Sequence, residues 1–408
     1  MLLTYAVLFS FPPLLLFYAI SGLYYNPSKW RKYIPAFLFF VFIIICAFNL
    51  KDGTNKDLVR YYEWLDLSSK LSLAEISQYF NDDLYVMHLI YWVIGRLGIH
   101  QLLPALSITI VMLSVTYITC DLAEYHGSFK SIKYVLLLQL MFLPSVYVME
   151  TVRSGLAYSL IIILAYLDMV KGKKSIFIIL GYFCCVFIHH SAVIFIVLRI
   201  MCMLPVAIKK LLIFFPLLVM PMVYYLQDFI DTFGLGHNVF LAKFVHKALV
   251  YSTNEVTAYG MYAEKALTMF FLKIVMTTEA VLILVIVFYL LRNNVVKEKR
   301  HQSFLYFFGF INLLTLAMVP MPVPIYWRIA SAGYACCGAY MIPVRIYYNR
   351  LPFVIKLAYK TLWLCAIPSL IFQIHWIPTY IDSYLSWGCE ILMTNYYTVL
   401  IDVLKNLL

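Results

Sequence analysis

Long apolar runs alternate with short polar segments along most of the chain. A helix needs about 20 predominantly apolar residues to cross the hydrocarbon core of a bilayer, or somewhat fewer where flanking side chains reach the headgroups. Each run predicts a helix, because a backbone inside lipid must hydrogen-bond within its own segment. The pattern therefore predicts an all-α polytopic membrane protein, a single integral membrane domain with about twelve spans. They cover residues 2–24, 33–50, 102–122, 134–150, 154–170, 175–189, 190–207, 211–227, 266–291, 303–319, 328–346 and 353–375.

Two choices decide which loops share a side of the membrane. The run 84–99 is apolar enough for a span, but counting it would move the lysines of 171–174 to the outer side. We therefore predict a helix on the membrane surface there, within a long outer segment, 51–101. Reading 175–204 as one helix would likewise misplace the basic residues 209–210 and 292–300. A hairpin that turns at residues 189–191 restores the pattern, although it requires two short helices.

Nearly all tight clusters of lysine and arginine then fall on one side. Loops on the cytoplasmic side of a membrane attract positive charge, so we assign that side to the cytoplasm. The clusters are Lys29-Arg31-Lys32, Lys130-Lys133, Lys171-Lys173-Lys174, Lys209-Lys210, Arg292-Lys297-Lys299-Arg300 and Arg345-Arg350. The outer side receives the segment 51–101, the loop 228–265 and the tail 376–408. Function is expected on that side, where the remaining conspicuous polar residues fall.

Composition agrees with a membrane protein, since 64% of the residues are hydrophobic, 12% are charged and the mean hydropathy is +0.86. A soluble fold cannot bury that much apolar surface. The nine cysteines mostly lie inside apolar runs, which favours buried free thiols over disulfides. The first charged residue is Lys29, so the first run lacks the basic segment of a signal peptide. The inner loops account for most of the net charge of +11, and nucleic-acid binding is not needed to explain it.

Two arginines stand out as candidates for anion binding. Arg153 lies between two apolar runs, and an ionisable group at the margin of the hydrocarbon is usually paired or functional. A guanidinium is always charged, and its planar fork suits phosphate oxygens. Arg328 follows the proline-rich turn 320–327, which is stiff and presents the arginine at the interface. The alternatives are an Arg153 that pairs with Glu150 or reaches the headgroups, and an Arg328 that anchors the membrane surface.

Candidates for proton transfer are a histidine pair and one carboxylate. His189 and His190 interrupt an apolar stretch, and one imidazole there could act as a general base or support a leaving phosphate. An interfacial histidine hydrogen-bonded to a helix end is an equal alternative. In the first outer segment a helix would group Asp57 with Tyr61, and Arg60 with Glu63. Carboxylates and tyrosines are what sugar hydroxyls and pyranose faces require, whereas an ordinary solvated helix explains the rest of the segment.

The loop 228–265 is an exception to the charge pattern, because it carries Lys243 and Lys247 on the outer side. That exception predicts an anionic partner such as a pyrophosphate or an acidic glycan, or else packing on lipid headgroups. Metal ligands are scarce, since Asp82 and Asp83 are adjacent and would face different ways on a helix. We therefore predict a site without a metal. No phosphate-binding glycine loop and no Ser–His–Asp signature supports ATP hydrolysis or serine-type acyl transfer.

Several short motifs, taken in order, resemble those of the Wzy-type O-antigen and exopolysaccharide polymerases, in particular the EpsG-like branch. The resemblance covers residues 30 to 350, and it lies in the order and spacing of the motifs. Asp82-Asp83 stand where the family usually carries a glutamate before the surface helix. The matching residues are Gly53 with Asp57-Leu58-Val59-Arg60-Tyr61-Tyr62, then Arg153-Ser154-Gly155-Leu156-Ala157, Gly172-Lys173-Lys174, Ile188-His189-His190-Ser191-Ala192 and Arg328-Ile329.

The resemblance implies a polyprenol-dependent glycosyltransferase of the GT-C-like type that needs no cofactor. Such an enzyme moves a growing glycan from undecaprenyl pyrophosphate onto the non-reducing end of a new lipid-linked repeat unit. Donor and acceptor are both undecaprenyl-pyrophosphate-linked oligosaccharides held beside membrane lipid, with a chain-length regulator as a further candidate partner. Arg153 and Arg328 would stabilise the leaving pyrophosphate. His189 or His190 would act as the base, with Asp57 as the next choice, and Arg60, Tyr61, Lys243 and Lys247 would bind substrate.

Three other classes remain as alternatives. A flippase or other transporter would require charged residues at mid-membrane depth and some symmetry between its halves, and the sequence shows neither. A lipid A or glycan ligase shares the fold and the chemistry and differs only in its acceptor. A membrane O-acyltransferase would use an inner donor such as acyl-CoA and a histidine deep in the bundle.

Overall fold

The computed structural model describes residues 12–47, 57–80, 82–143, 148, 151–212, 215–217, 267–319 and 323–376. All regular elements within these residues are helical, so the prediction of an all-α protein is confirmed for this part of the chain. The predicted span 211–227 (beyond its first residues), the loop 228–265 and the tail from 377 lie outside the described residues. The α-helices are α1 Pro12–Tyr25, α2 Trp30–Cys46, α3 Asp57–Lys70, α4 Leu73–Phe80, α5 Tyr85–Leu97, α6 Leu102–Tyr125, α7 Ile132–Phe142, α8 Val152–Met169, α9 Ile176–Ile188, α10 Ala192–Met201, α11 Val206–Leu211, α12 Leu267–Arg292, α13 Lys299–Ala317, α14 Val323–Ala335, α15 Gly338–Ile346 and α16 Phe353–Trp376.

Four of these helices contain stretches long and apolar enough to cross a membrane, namely Leu102–Tyr125, Val152–Met169, Lys273–Arg292 and Phe353–Ile374. Bulky apolar side chains also point outward, as at Phe177 on α9 and Leu364 on α16, which are 78% and 66% exposed. Lipid is the solvent that suits such faces. The chain is therefore an α-helical membrane protein, and the full number of twelve spans stays a prediction.

Two predicted spans are interrupted. The span 134–150 was predicted as one helix, but α7 ends at Phe142 because Leu143 is extended (φ −69°, ψ 116°). Pro144 follows, and a residue before proline disfavours the helical conformation. The predicted span 328–346 is two helices. Between residues 336 and 340 the backbone amides bond to the carbonyl three positions earlier instead of four. Gly338 packs so closely on Thr119 that an added Cβ would lie 2.6 Å from the threonine oxygen.

The predicted hairpin at residues 189–191 is confirmed. Helix α9 ends where His189 takes an extended conformation, and α10 begins at Ala192. Both helices pack on α8 in opposite directions: Gly181 of α9 faces Leu164, while the ring of Phe195 on α10 lies 4.6 Å from that of Tyr158. The predicted helix at 84–99 also exists, as α5, and it packs on α3 and α9. Its placement on the membrane surface stays a prediction.

The six basic clusters converge on one end of the helix bundle, which we call the basic end. The contacts that connect them are Arg31 to Glu124, Lys133 to Tyr24, Arg345 to Tyr134, Lys171 to Asp121, Arg300 to Gly172 and Lys209 to Ser303. Helix α8 runs away from this end, so its first turn stands roughly 24 Å from its last turn. Helices α3, α4 and α5 lie around that first turn, and we call this region the aromatic end.

Candidate functional site

The first turn of α8 is fixed against α6, and it carries Arg153. Ser107 on α6 donates a hydrogen bond to the carbonyl of Val152 at 3.2 Å. Gly155 permits close packing, since a Cβ there would meet the side chains of Val148 at 2.9 Å and Ser107 at 3.0 Å. The backbone that positions Arg153 is therefore held on two sides, and a larger residue at 155 would displace it.

Aromatic rings surround the Arg153 guanidinium. Its Cζ atom lies 5.8 Å from the ring centre of Tyr61 and 5.6 Å from that of Trp64, both on α3. The guanidinium also donates a hydrogen bond to the Tyr61 hydroxyl. Its Nε atom is buried and has no hydrogen-bond partner among the described residues. A cation over aromatic faces is attracted by about 0.5–2 kcal/mol, so the rings hold Arg153 without using all of its donors.

Four aromatic residues from three helices form a contiguous cluster, which we call the aromatic cluster. The ring of Trp64 lies at its centre, 5.3 Å from Tyr61, 5.2 Å from Phe80 and 5.8 Å from Tyr91. Arg60, one turn before Trp64, places its guanidinium 5.1 Å from the same indole. The indole thus lies beside two cations, Arg60 and Arg153.

Asp57 and Arg60, both predicted as site residues, form an ion pair at 2.9 Å on an exposed face of α3. The structure therefore brings four of the predicted residues, Asp57, Arg60, Tyr61 and Arg153, to one region. An exposed pair of this kind contributes little to stability, about 0–1 kcal/mol.

A carboxylate that the sequence analysis left without a role, Asp82, stands beside this cluster. Its Oδ1 atom accepts hydrogen bonds from His88 Nε2 at 2.7 Å and from the amide of Leu84 at 3.2 Å. The other nitrogen of His88, Nδ1, lies 3.3 Å from the hydroxyl of Ser77, and the imidazole is 1% exposed. His88 therefore holds Asp82 in place and does not itself face solvent, whereas 22% of the Asp82 side chain is exposed.

Opposing influences act on the pKa of Asp82. Partial burial raises it, but the hydrogen bonds from His88 and Leu84 and the charges of His88 and Arg153 outweigh burial, so the pKa is lowered from its ordinary value. Asp82 is therefore an ionised acceptor at neutral pH. Arg153 contributes to this shift, which places the carboxylate and the guanidinium within electrostatic reach of each other.

The predicted histidines lie in a separate polar chain at the hairpin. His189 Nδ1 is 2.6 Å from the hydroxyl of Ser191, which is 2.6 Å from the hydroxyl of Tyr158 on α8. Tyr158 is five residues beyond Arg153, which is about 7 Å along the helix. His190 occupies the same turn. His189 is therefore near the first turn of α8, and the aromatic cluster lies on its other side.

Arg328 lies on α14, which packs against α8. The residues before it are docked on α12, where Trp327 contacts Met276 and the hydroxyls of Tyr326 and Thr277 lie 3.4 Å apart. Whether Arg328 acts with Arg153 stays a prediction. Lys243 and Lys247, the other predicted binding residues, lie outside the described residues.

The sequence analysis missed an ionisable residue in the middle of a predicted span. Glu279, in the middle of α12, is 0% exposed. Its Oε2 atom lies 2.5 Å from the hydroxyl of Tyr334 on α14, and its Oε1 atom accepts a hydrogen bond from Ser369 on α16 at 2.9 Å. A single glutamate within a long apolar run was visible in the sequence, and that signal could have identified it.

Among the described residues, no three His, Cys, Asp or Glu side chains converge as metal ligands. The chain matches no protein-family model, and no curated protein and no solved structure is similar to it at a significant level. The geometry of Arg153, Asp82 and the aromatic cluster is therefore the basis for assigning a function.

Proposed function

We propose that the chain is a polyprenyl-pyrophosphate-dependent glycosyltransferase, an O-antigen or exopolysaccharide polymerase that works at the periplasmic face of the inner membrane. The observation that carries this proposal is Arg153, a partly buried arginine at the aromatic end whose buried Nε atom has no hydrogen-bond partner among the described residues. The basic end then faces the cytoplasm, in agreement with the excess of positive charge there. The aromatic end faces outward, where lipid-linked repeat units are joined in this family.

Arg153 suits the leaving group of such a reaction. When the bond between the anomeric carbon and the pyrophosphate breaks, the electron pair and a negative charge stay on the phosphate oxygen. A guanidinium that is already oriented stabilises this charge without reorganisation, and loss of one such donor typically slows a reaction about 100-fold or more. Only a planar fork offers two parallel donors to phosphate oxygens, so lysine is a poor replacement.

The aromatic cluster suits the sugars. Pyranose rings have apolar faces that pack on aromatic side chains, and their hydroxyls bond with the polar groups at the edge. Trp64, a partly exposed member of the cluster, stands next to Arg153, so a sugar placed on its indole would have its anomeric substituent near the guanidinium. Arg60 and Asp57, on the exposed face of α3, would contact the more distal part of the glycan.

Asp82 is the best-supported base for the acceptor. It would accept the proton of the acceptor hydroxyl as that oxygen attacks the anomeric carbon and undecaprenyl pyrophosphate leaves, so one C–O bond forms and one breaks. His88 would keep the carboxylate oriented. Asp82 is preferred to Asp57 because it lies within electrostatic reach of Arg153, while His189 remains the second candidate through its position beside α8.

A lipid-linked oligosaccharide flippase is the second candidate. Two observations favour it, the carboxyl group of Glu279 at mid-depth and the break between α14 and α15, because broken helices and buried carboxylates often form transport sites. An O-antigen ligase would share the chemistry of a polymerase and differ in the acceptor.

The test is the length of the polymer made by a strain that lacks its own copy of this gene. The strain is complemented with wild type, Arg153→Ala, Arg153→Lys, or the control Arg31→Ala, at matched membrane levels. Arg31 is an exposed arginine paired with Glu124 at the basic end. We expect wild type and Arg31→Ala to restore a ladder of chain lengths, and both Arg153 variants to leave products with a single repeat unit.

The same strains separate the alternatives. A normal ladder from Arg153→Ala would remove Arg153 from the site and with it the basis of the proposal. If the deletion strain instead accumulates lipid-linked repeat units on the cytoplasmic leaflet, the protein is a flippase. If the deletion strain still polymerises repeat units but does not attach the polymer to lipid A, the protein is a ligase.

A further inference from the structure

A chain of hydrogen bonds runs across five helices in the interior of the bundle. Thr119 on α6 donates to Gln139 on α7 at 2.7 Å, and the Gln139 amide donates to the backbone carbonyl of Tyr334 on α14 at 3.4 Å. The Tyr334 side chain continues to Glu279 on α12, which is joined to Ser369 on α16. All five side chains are at most 5% exposed.

This chain of hydrogen bonds contacts the broken helix α14–α15 directly beside the break. Tyr334 is the last residue but one of α14, and the change in hydrogen-bond spacing follows directly at Cys336. A helix end inside a bilayer leaves carbonyl groups without a partner from the next turn. The Tyr334 carbonyl is not such a group, because it accepts from the amide of Cys337 at 3.2 Å, and Gln139 adds a second, longer bond to it at 3.4 Å. The hydroxyl of the same tyrosine joins α14 to Glu279 on α12, which in turn bonds Ser369 on α16.

The groups around Glu279 determine whether its carboxyl is protonated or ionised. The titratable groups that interact electrostatically with it are Tyr326 and Tyr334 on α14, Cys337 between α14 and α15, Tyr340 on α15 and Cys365 on α16. The cationic and histidine residues on its own helix and on the helices packed around it are Lys273, Arg292, Lys299, Arg300, His301, Arg328, Arg345, Lys356, Lys360 and His375. Among the described groups, only Tyr334 and Ser369 hydrogen-bond the carboxyl, and no positive charge acts on it. An ionised carboxylate without a cation is costly in such a place.

We propose that Glu279 carries a proton at neutral pH and is the neutral link of a hydrogen-bond chain that holds the broken helix α14–α15 in the bundle. In the structure both hydroxyls donate to the carboxyl, Ser369 to Oε1 and Tyr334 to Oε2. In the protonated form the contact with Tyr334 is kept with its direction reversed, so that Oε2 donates its proton to the Tyr334 oxygen. The inference does not depend on the glycosyltransferase proposal. It gives the mid-membrane carboxyl a role other than that of a cation site in a transporter.

Infrared difference spectroscopy on the purified protein at pH 7 tests the protonation state. We expect the spectrum of wild type minus Glu279→Gln to contain a protonated-carboxyl C=O band that shifts in D2O. Asp168→Asn is the matched control, because Asp168 is ion-paired with Arg199 and should give carboxylate bands. Carboxylate bands from Glu279 as well would overturn the proposal. Tyr334→Phe should shift the same C=O band, which keeps the test decisive if the Glu279→Gln variant does not fold.

The thermal midpoint tests the role of the chain. Glu279→Gln is neutral and keeps one acceptor and one donor, so its midpoint should stay close to that of wild type. Glu279→Ala leaves the two buried hydroxyls without their partner, and its midpoint should fall by roughly 3–6 °C. If Glu279→Gln were as unstable as Glu279→Ala, negative charge would be the required property and the neutral link would be wrong.

Discussion

The two ends of the bundle use the same side chains in different ways. Near the basic end, Arg199 Nε donates to Asp168 at 2.8 Å, and Lys171 lies 3.0 Å from the buried Asp121. At the aromatic end Arg153 is held by rings and a hydroxyl, with Asp82 within electrostatic reach, and its Nε atom has no partner in the part of the chain that the structure describes. A structural cation is neutralised by a carboxylate at hydrogen-bond distance, whereas a buried donor left unsatisfied by these residues is available to an anion from outside.

The largest expected effects come from replacing one arginine at each end, Arg199 and Arg153, with alanine. Arg199→Ala leaves the carboxylate of Asp168 largely buried without its partner, which should cost about 3–5 kcal/mol of stability. Arg153→Ala leaves Asp82 bonded to His88, so the protein should stay folded, and loss of the donor to the leaving pyrophosphate should abolish polymer. Fluorescence-detected size-exclusion chromatography after heating and polymer ladders measure the two properties. The double variant Arg199→Ala/Asp168→Ala should recover much of the lost stability. Unfolding of Arg153→Ala would contradict the proposed difference between the two ends.

Substitution of Asp82 should have the next largest effect on polymer. Asp82→Asn removes the acceptor of a proton and should reduce the rate about 100- to 10,000-fold, with little change in the amount of folded protein. Asp83→Asn is the matched control, since Asp83 contacts only the hydroxyl of Tyr85, at 3.4 Å, among the described polar groups. Equal rates for the two variants, measured as polymer formed per membrane-bound protein, would exclude Asp82 as the base.

A buried histidine at the basic end predicts a pH effect on stability. Burial lowers the pKa of His301 from its ordinary value of 6.5 to about 4, so the unfolded chain takes up a proton at a higher pH than the folded protein. Stability should therefore decline as the pH falls from about 6.5 to about 4. His301→Gln should flatten this part of the curve of thermal midpoint against pH. An unchanged slope in the variant would assign the pH dependence to other groups.

The smallest expected effect belongs to the pair Asp57–Arg60. Because it is exposed, Asp57→Asn should change stability by less than about 1 kcal/mol and leave the ladder nearly intact. The original sequence-based alternative, Asp57 as the catalytic base, predicts the opposite. A ladder reduced as strongly as in Asp82→Asn would restore Asp57 to that role.

Local chemistry made some features of the fold predictable. The turn at residues 189–191 was predicted from the positions of the lysine and arginine clusters along the chain, and α9 and α10 confirm it. The end of α7 at Phe142 could also have been read, because Leu143 precedes a proline. The break after α14 could not, since Cys336 and Cys337 are apolar and helix-compatible. It depends on the contact of Gly338 with Thr119, which is 219 positions earlier in the chain.

The candidate site divides in the same way. Arg153 was visible as a charge at the edge of an apolar run, and Asp57, Arg60 and Tyr61 lay on one predicted helix. The link between Asp82 and His88 was hidden because it joins a loop to the second turn of α5, and its importance appears only when Arg153 comes near. Glu279 was overlooked for a different reason, because charged residues were considered at the ends of the predicted spans and not in their middles.

The short helices of the hairpin have a consequence for the surrounding lipid. Helix α6 has 24 residues, or about 36 Å, whereas α9 has 13 and α10 has 10, or about 20 Å and 15 Å. A hydrocarbon layer about 30 Å thick suits the first and is too thick for the other two. Helices α9 and α10 can therefore cross a bilayer only where it is thinned beside the hairpin or where flanking side chains reach the headgroups. Under the proposed function, such a thinned rim beside the turn at His189 would let a long isoprenoid tail approach the protein sideways from the membrane.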